Sequence, residues 1–265
     1  MENWVEDYEN KLSDLNMPYN EIQKYISLAM PAQFYRYRKF NEYWEDEIFN
    51  GQVFMSTADK LNDPFDSMFY IQLDNYMRYA NELMKNVINL IPKDKAREIF
   101  IQEVKKMTLE FQDYVRIACF SEVKDSILMW SHYSDNHRGY CLQYDTQKLL
   151  DNSEKLFLPI VYSKLRYEAS MCLATRNRNI ALNPVLFKAT EWHYEKEWRM
   201  FAVNENSNIY ANLKGSISAI YLGANCRLDE KVEKKLSAWS KENRISVFKM
   251  NMSRTDYKLI PEPFI

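Results

Sequence analysis

Glycine is scarce, with four in a chain of 265 residues, and this poverty argues against any fold built on glycine-rich phosphate loops. The four cysteines, Cys119, Cys141, Cys172 and Cys226, lie far apart and form no C-x-x-C pair. Most sit inside apolar runs, so they read as reduced core thiols rather than a disulfide frame or a metal knuckle. No stretch approaches the roughly 18 apolar residues of a membrane span. The start, Met1 to Asp7, is acidic and lacks the basic and apolar regions of a signal peptide, so a cytoplasmic location is expected and a membrane partner is not. Charge of one sign is missing too: 35 basic against 37 acidic residues give a net −2. No global field draws in nucleic acid, although a local basic groove stays open as an alternative.

What the chain has in quantity is aromatic surface: 19 Tyr, 14 Phe and 6 Trp make 15% of the residues. Hydrophobic residues at 46% and charged residues at 27% suit a folded globular protein, expected to be one domain over 1–265. The first 30 residues read as helical, with Trp4, Tyr8, Leu12 and Leu15 on one stripe and a second segment from Asn20 to Met30. Strand candidates follow at Phe34 to Tyr37 and Gln52 to Ser56, separated by a helix from Asn41 that Asn50-Gly51 stops. Leu61 to Asp66 is a turn, because Asp63 before Pro64 is pushed out of the helical region.

Two charged helical segments, Asp74 to Leu90 and Asp94 to Tyr114, read as an insertion over 67–113 or a lid-like hairpin packed on the sheet. From residue 115 strand signals dominate, at Val115 to Ser121, Gly139 to Tyr144, Leu156 to Tyr162, Glu197 to Val203 and Ile217 to Leu222, with a short helix from Ser126 to Tyr133. A strand-helix-strand unit ends the chain, its helix carrying Leu228, Val232, Leu236 and Trp239 on one stripe. The whole predicts an α+β fold with a helical N-terminus and a helical insertion.

Chemistry concentrates in Tyr194-Glu195-Lys196-Glu197-Trp198-Arg199. Read as a strand, this segment puts Glu195, Glu197 and Arg199 on one face and Trp198, Met200 and Ala202 on the other. The plain alternative is a solvated face with a cross-strand ion pair, but Trp192, Tyr194 and Trp198 crowd the segment and would wall a cleft. Arg36 between two tyrosines suits either a phosphate or a paired carboxylate. Ser56-Thr57 and Asn62-Asp63 suit either a ligand or their own turns. His132, His137 and His193 lack metal-site spacing, and Cys119 between Ala118 and Phe120 reads as an inert core thiol.

Taken in order, Phe34-Tyr35-Arg36-Tyr37-Arg38, Phe54-Met55-Ser56-Thr57, Leu61 to Asp66, Ala118 to Ser121, Leu128 to Tyr133 and Tyr194 to Arg199 resemble a bacterial family known as domain-of-unknown-function family 2971, over about 34 to 222. That family supplies no activity. A second resemblance is to the ADP-ribosyltransferase superfamily, whose arginine-type members carry an Arg on one strand, a Ser-Thr motif on the next and a later Glu-x-Glu strand. Arg36, Ser56-Thr57 and Glu195-x-Glu197 occur in that order, while Ala58 replaces the last serine of the usual Ser-Thr-Ser.

The second resemblance implies a mixed, split β-sheet core and NAD as substrate; the histidine spacing leads to the expectation of no metal. Glu197 would stabilise an oxocarbenium-like state, and Glu195 would orient or deprotonate the acceptor. The expected ligand-binding residues are Arg36, Tyr35, Ser56, Thr57, Asn62, Asp63, Trp130 and His132, with Arg36 on the dinucleotide, Ser56 bracing Glu197, and Tyr35 or Trp130 stacking on nicotinamide. The expected partners are a small nucleotide-like ligand and an unidentified acceptor, in a toxin or phage-defence setting. A noncatalytic nucleotide-binding sensor in defence is the second expectation, and a nuclease or other hydrolase the third.

Overall fold

The computed structural model describes residues 3–83, 92–203 and 210–265. The expected helix from Asp74 to Leu90 therefore lies partly outside the described residues. Helices α1 (Asn3–Leu12) and α2 (Tyr19–Ile26) open the chain. Their apolar stripes bury Tyr8, Leu12, Ile22 and Ile26 against one face of the main sheet. Helix α3 (Trp44–Asn50) follows β1 (Gln33–Arg38) and ends on Gly51, whose φ of 68° is the left-handed cap a glycine takes without cost.

The main sheet is mixed and open. Strands β5 (Val115–Ser121), β6 (Tyr140–Asp145), β7 (Leu156–Pro159), β11 (Glu197–Val203), β13 (Ile217–Leu222), β14 (Ser246–Met252) and β15 (Leu259–Pro263) join β1 in the order β15-β14-β13-β6-β1-β5-β11-β7, and β3 (Ser56–Thr57) lies beside β5. Among the described residues only β13 and β14 are parallel neighbours within it, linked by helix α9 (Glu230–Asn243) as a crossover requires. Asp229 caps α9 by accepting from the Val232 amide at 2.9 Å, and Leu236 is fully buried.

The sheet is split at its middle. Strand β1 pairs with β5 through one residue pair, Tyr35 with Ser121, whereas it pairs with β6 along six. Further along β5, Ile117 and Arg116 turn to β3 instead, opposite Ser56 and Thr57. Arg36 fills the resulting wedge. Its guanidinium bonds the Glu47 carboxylate at 3.0 Å, the Cys119 carbonyl at 2.9 Å and the Phe54 carbonyl at 3.1 Å.

Alternation in β11 sends Trp198 and Met200 into the larger core beside Phe34, Phe120 and Phe157 and leaves Glu197 and Arg199 on the opposite face, opposite Ser121 and Cys119. That second face is covered by helix α6 (Ile127–Tyr133), which buries Met129 and Trp130 against Tyr35 and Tyr37.

The expected single strand from Leu156 to Tyr162 is two. Past Pro159 the Ile160 amide still bonds the Glu197 carbonyl, but Val161 bonds the Leu186 carbonyl, so β8 (Val161–Ser163) leaves the main sheet and pairs with β10 (Phe187–Ala189). The remaining short strands pair as β2 (Gln52–Phe54) with β12 (Tyr210–Asn212) and β4 (Phe69–Tyr70) with β9 (Tyr167–Glu168). Helix α7 (Thr146–Asn152), capped by Asp145, tucks Leu149 under the sheet.

The insertion also differs from expectation. Helices α4 (Leu73–Leu83) and α5 (Lys93–Tyr114) gather with α8 (Ser170–Thr175): Tyr76, Ala80 and Met107 meet Cys172 and Leu173 in a small apolar cluster of their own rather than in the main core. No helix among the described residues is long and apolar enough to cross a membrane.

Candidate functional site

Glu195 and Glu197 do meet, but not by strand alternation. Residues Thr190–Glu195 form a 3-10 turn, Lys196 takes a left-handed φ of 42°, and β11 begins only at Glu197. The reversal at Lys196 turns Glu195 back over Glu197. Ser121 holds it there, its hydroxyl donating to the Glu195 carbonyl at 2.6 Å.

Both carboxylates converge on Lys188, whose Nζ lies 2.5 Å from Glu195 Oε2 and 2.9 Å from Glu197 Oε2. Arg199 holds Glu197 from the other side, with Nε to Oε1 at 2.7 Å, and extends to Asp66 Oδ2 at 2.6 Å and the Val185 carbonyl at 2.8 Å. Asp66 is also 3.7 Å from Lys188. The Tyr133 hydroxyl donates to Glu195 Oε1 at 2.5 Å and accepts from Asn62 at 3.1 Å. All five charged side chains are almost fully buried.

Three carboxylates against two cations leave one negative charge in excess, and burial makes that excess expensive. The environment resolves it unequally. For Glu197 burial alone would raise the carboxyl, but Arg199 and Lys188 outweigh burial and hold it below the usual carboxylate range. For Glu195 burial wins over the attraction of Lys188, repulsion from Glu197 adds to it, and its carboxyl is pushed up. Burial would strip Lys188 of its proton; Glu197 and Glu195 reverse this and keep it charged. Two neighbouring carboxyls are thus driven to opposite protonation preferences, as in sites that divide acid and base roles.

The cluster floors a cleft of about 270 Å³. Tyr35, Arg36, Ser56, Asn62, Tyr133 and Cys119 line it together with Lys188, Glu195, Glu197 and Arg199. Several expected roles change on this geometry. Arg36 is buried and committed to Glu47 and two carbonyls, so it is a structural cation rather than a grip on a dinucleotide. Ser56 does not brace Glu197: its hydroxyl donates to the Thr57 carbonyl, and the braces are Arg199 and Lys188.

Trp130 is fully buried, with its ring edge-on to Tyr37 and its indole N–H on the Lys124 carbonyl, so no face is free for nicotinamide. Thr57 pairs with Arg116 on β5 and does not line the cleft. Asp63 faces the neighbouring hollow and accepts from the Phe65 amide. His132 is exposed, bonds the Tyr194 hydroxyl at 3.1 Å and packs edge-on to Trp192. Cys119 packs against the main core and also lines the cleft, and burial together with Glu197 pushes its thiol up, which keeps it protonated and unreactive. Among the described residues no group of three or more His, Cys, Asp or Glu is arranged to hold a metal ion.

Comparison with known families bears on this cluster directly. Residues 129–200 match a family described as protein of unknown function, DUF2971. No curated protein and no solved structure matches the chain. The DUF2971 segment starts in α6 and ends in β11, so it contains Tyr133, Lys188, Glu195, Glu197 and Arg199, while Asp66 and Asn62 come from outside it.

Lys188, Asp66 and Tyr133 are residues that sequence reasoning left out of the site. Asp66 and Tyr133 stood in motifs with no role. Lys188 carried one usable signal: it is a single cation between Phe187 and Ala189, directly after the apolar Pro184-Val185-Leu186, and a lysine in such a run needs a buried counter-charge.

Proposed function

We propose that the chain is an NAD-consuming transferase of the ADP-ribosyl type. The observation that carries this reading is the Glu195-Glu197 pair on Lys188, one carboxyl held ionised and the other pushed toward its protonated form. When the bond between ribosyl C1′ and the nicotinamide nitrogen breaks, the electron pair leaves with nicotinamide and positive charge spreads over C1′ and the ring oxygen. A permanently ionised, water-shielded carboxylate stabilises that charge, which is the role of Glu197. Glu195, with its raised carboxyl, is a stronger base than an ordinary glutamate and takes the proton of the acceptor as the acceptor attacks C1′. Tyr133 and Asn62 fix the rotamer of Glu195.

Purified chain incubated with NAD and a cell extract as the source of acceptor should release nicotinamide, and Glu197→Gln should lower the rate by about a hundredfold or more. Wild type that neither binds NAD at millimolar concentration nor releases nicotinamide would end this reading.

One observation favours the noncatalytic sensor instead. Both oxygens of Glu197 are already engaged by Arg199 and Lys188, a saturated arrangement that suits holding a ligand as well as reacting with it. NAD that binds but stays intact in cell extract would select this second reading. Degradation of RNA or DNA without NAD would select a nuclease.

A further inference from the structure

The ionic cleft is small. Its 270 Å³ falls short of the roughly 300–1,000 Å³ of cavities that enclose whole organic ligands. Beside it lies a larger hollow of about 620 Å³, and the two share Leu61 and Asp66 as a common wall. The hollow is bounded on one side by the 61–71 segment and on the other by α5.

Its lining has two characters. Phe69, Ile71, Phe100 and Val104 make apolar walls, two of them aromatic. Asp59 is exposed at its edge, while Asp63 and Asp66 are buried in its wall, Asp66 already bonded by Arg199 and Ser67; Lys105 is the single cation among the described lining residues. Carboxylates accept hydrogen bonds and donate none. Large apolar side chains also stay uncovered here: Met68 is 46% exposed and Ile101 46%, more apolar surface than a solvent-facing hollow needs. An apolar hollow with two aromatic walls and carboxylate acceptors at Asp59 and Asp63 selects a flat ring that carries amino hydrogens.

We propose that this hollow is the second lobe of the ligand site and holds an amino-bearing heteroaromatic ring, while the ionic cleft holds the sugar to which the ring is attached. The proposal rests on the nucleotide-type reading of the Glu195-Glu197 cleft and specifies its ligand as two-part. Two rings of such a ligand share this chemistry, a purine with an exocyclic amine and a pyridine carboxamide, and they can be offered separately.

Adenosine and nicotinamide riboside are each titrated by calorimetry against wild type, Val104→Trp, which fills the hollow, and Ile101→Lys, which adds charge at its exposed rim. One of the two nucleosides should bind wild type and weaken at least tenfold in Val104→Trp. Whichever nucleoside behaves so identifies the ring. Ile101→Lys lies on an exposed helix face and guards against a misfolded Val104→Trp; it should weaken the same nucleoside. Equal binding to wild type and both hollow variants, or no binding of either nucleoside to wild type, overturns the lobe. The two ideas fail separately: nucleoside binding that depends on Val104 without any nicotinamide release leaves the lobe and removes the transferase, and release with an unchanged KM in Val104→Trp does the reverse.

Discussion

Replacing Lys188 by Met tests the ionic cluster most directly. Methionine matches the length and stem of lysine and removes only the ammonium, so packing is largely kept. The loss leaves Asp66, Glu195 and Glu197 with Arg199 as their only cation in the cluster. Removing one partner of a buried ionic group costs about 3–5 kcal/mol, because the orphaned charge stays desolvated. The same replacement at Lys24, whose partner Glu21 is half exposed, should cost under about 1 kcal/mol.

The loss at Lys188 must also depend on pH. In wild type Glu197 sits below its ordinary range, so its contribution is present above the unfolded value of about 4.3 and is lost as pH falls through the lower folded value. In Lys188→Met, Glu195 loses its cation, so burial and repulsion from Glu197 push it further up, while Arg199 still holds Glu197. Stability tied to Glu195 is then fullest at low pH and is lost as pH rises through its raised value. The gap between the two proteins is therefore widest near pH 8 and narrows toward pH 5. Urea unfolding at both pH values measures it. A gap below about 1 kcal/mol at pH 8, or one that does not change with pH, would refute the electrostatic account of the cluster.

The four thiols, each pushed up by burial, should react slowly with a disulfide reagent at pH 8 and all at once in denaturant; rapid modification of Cys119 in the native chain would contradict its protonated state. Gly51→Ala places a Cβ 2.3 Å from the Lys214 amide nitrogen at a φ of 68°, and differential scanning calorimetry should show a lowered Tm, with a loss of about 2 kcal/mol or more. Asp229→Ala removes the cap of α9 and should cost about 1 kcal/mol in the same assay, with ligand binding unchanged.

The sequence made the long elements readable because their signals are local. The strands Val115–Ser121, Glu197–Val203 and Ile217–Leu222 have the expected bounds, since each is a nearly continuous apolar or alternating run closed by polar residues. Strand β10, with three residues, and β9, with two, offer no period to detect, and Lys188 sits on the first of them. Glu195 and Glu197 were legible as a pair, yet for the wrong geometric reason: the left-handed turn at Lys196 has no glycine to announce it. Arg36 shows the opposite difficulty. Its identity was plain and its fate was not, because whether an arginine meets a ligand or two carbonyls depends on Glu47, Phe54 and Cys119, which are distant in sequence and supplied by the fold. The order Arg, Ser-Thr, Glu-x-Glu thus records chain order, while the contacts follow from which strands part company.

The parting of β1 from β5 has a further consequence. Two strands that separate inside a sheet create edges in the middle of a protein, with carbonyls facing a gap instead of a neighbour. Such edges are templates for stray pairing during folding and for aggregation afterwards. A side chain that only donates, in a fixed planar fork, closes this seam by bonding the carbonyls of Cys119 and Phe54 together while Glu47 balances its charge. The shorter reach and mobile ammonium of lysine would leave one of those carbonyls open. Arg36 is in this sense a suture, and its conservative replacement should reveal itself in the yield of soluble protein before it shows in any assay of the cleft.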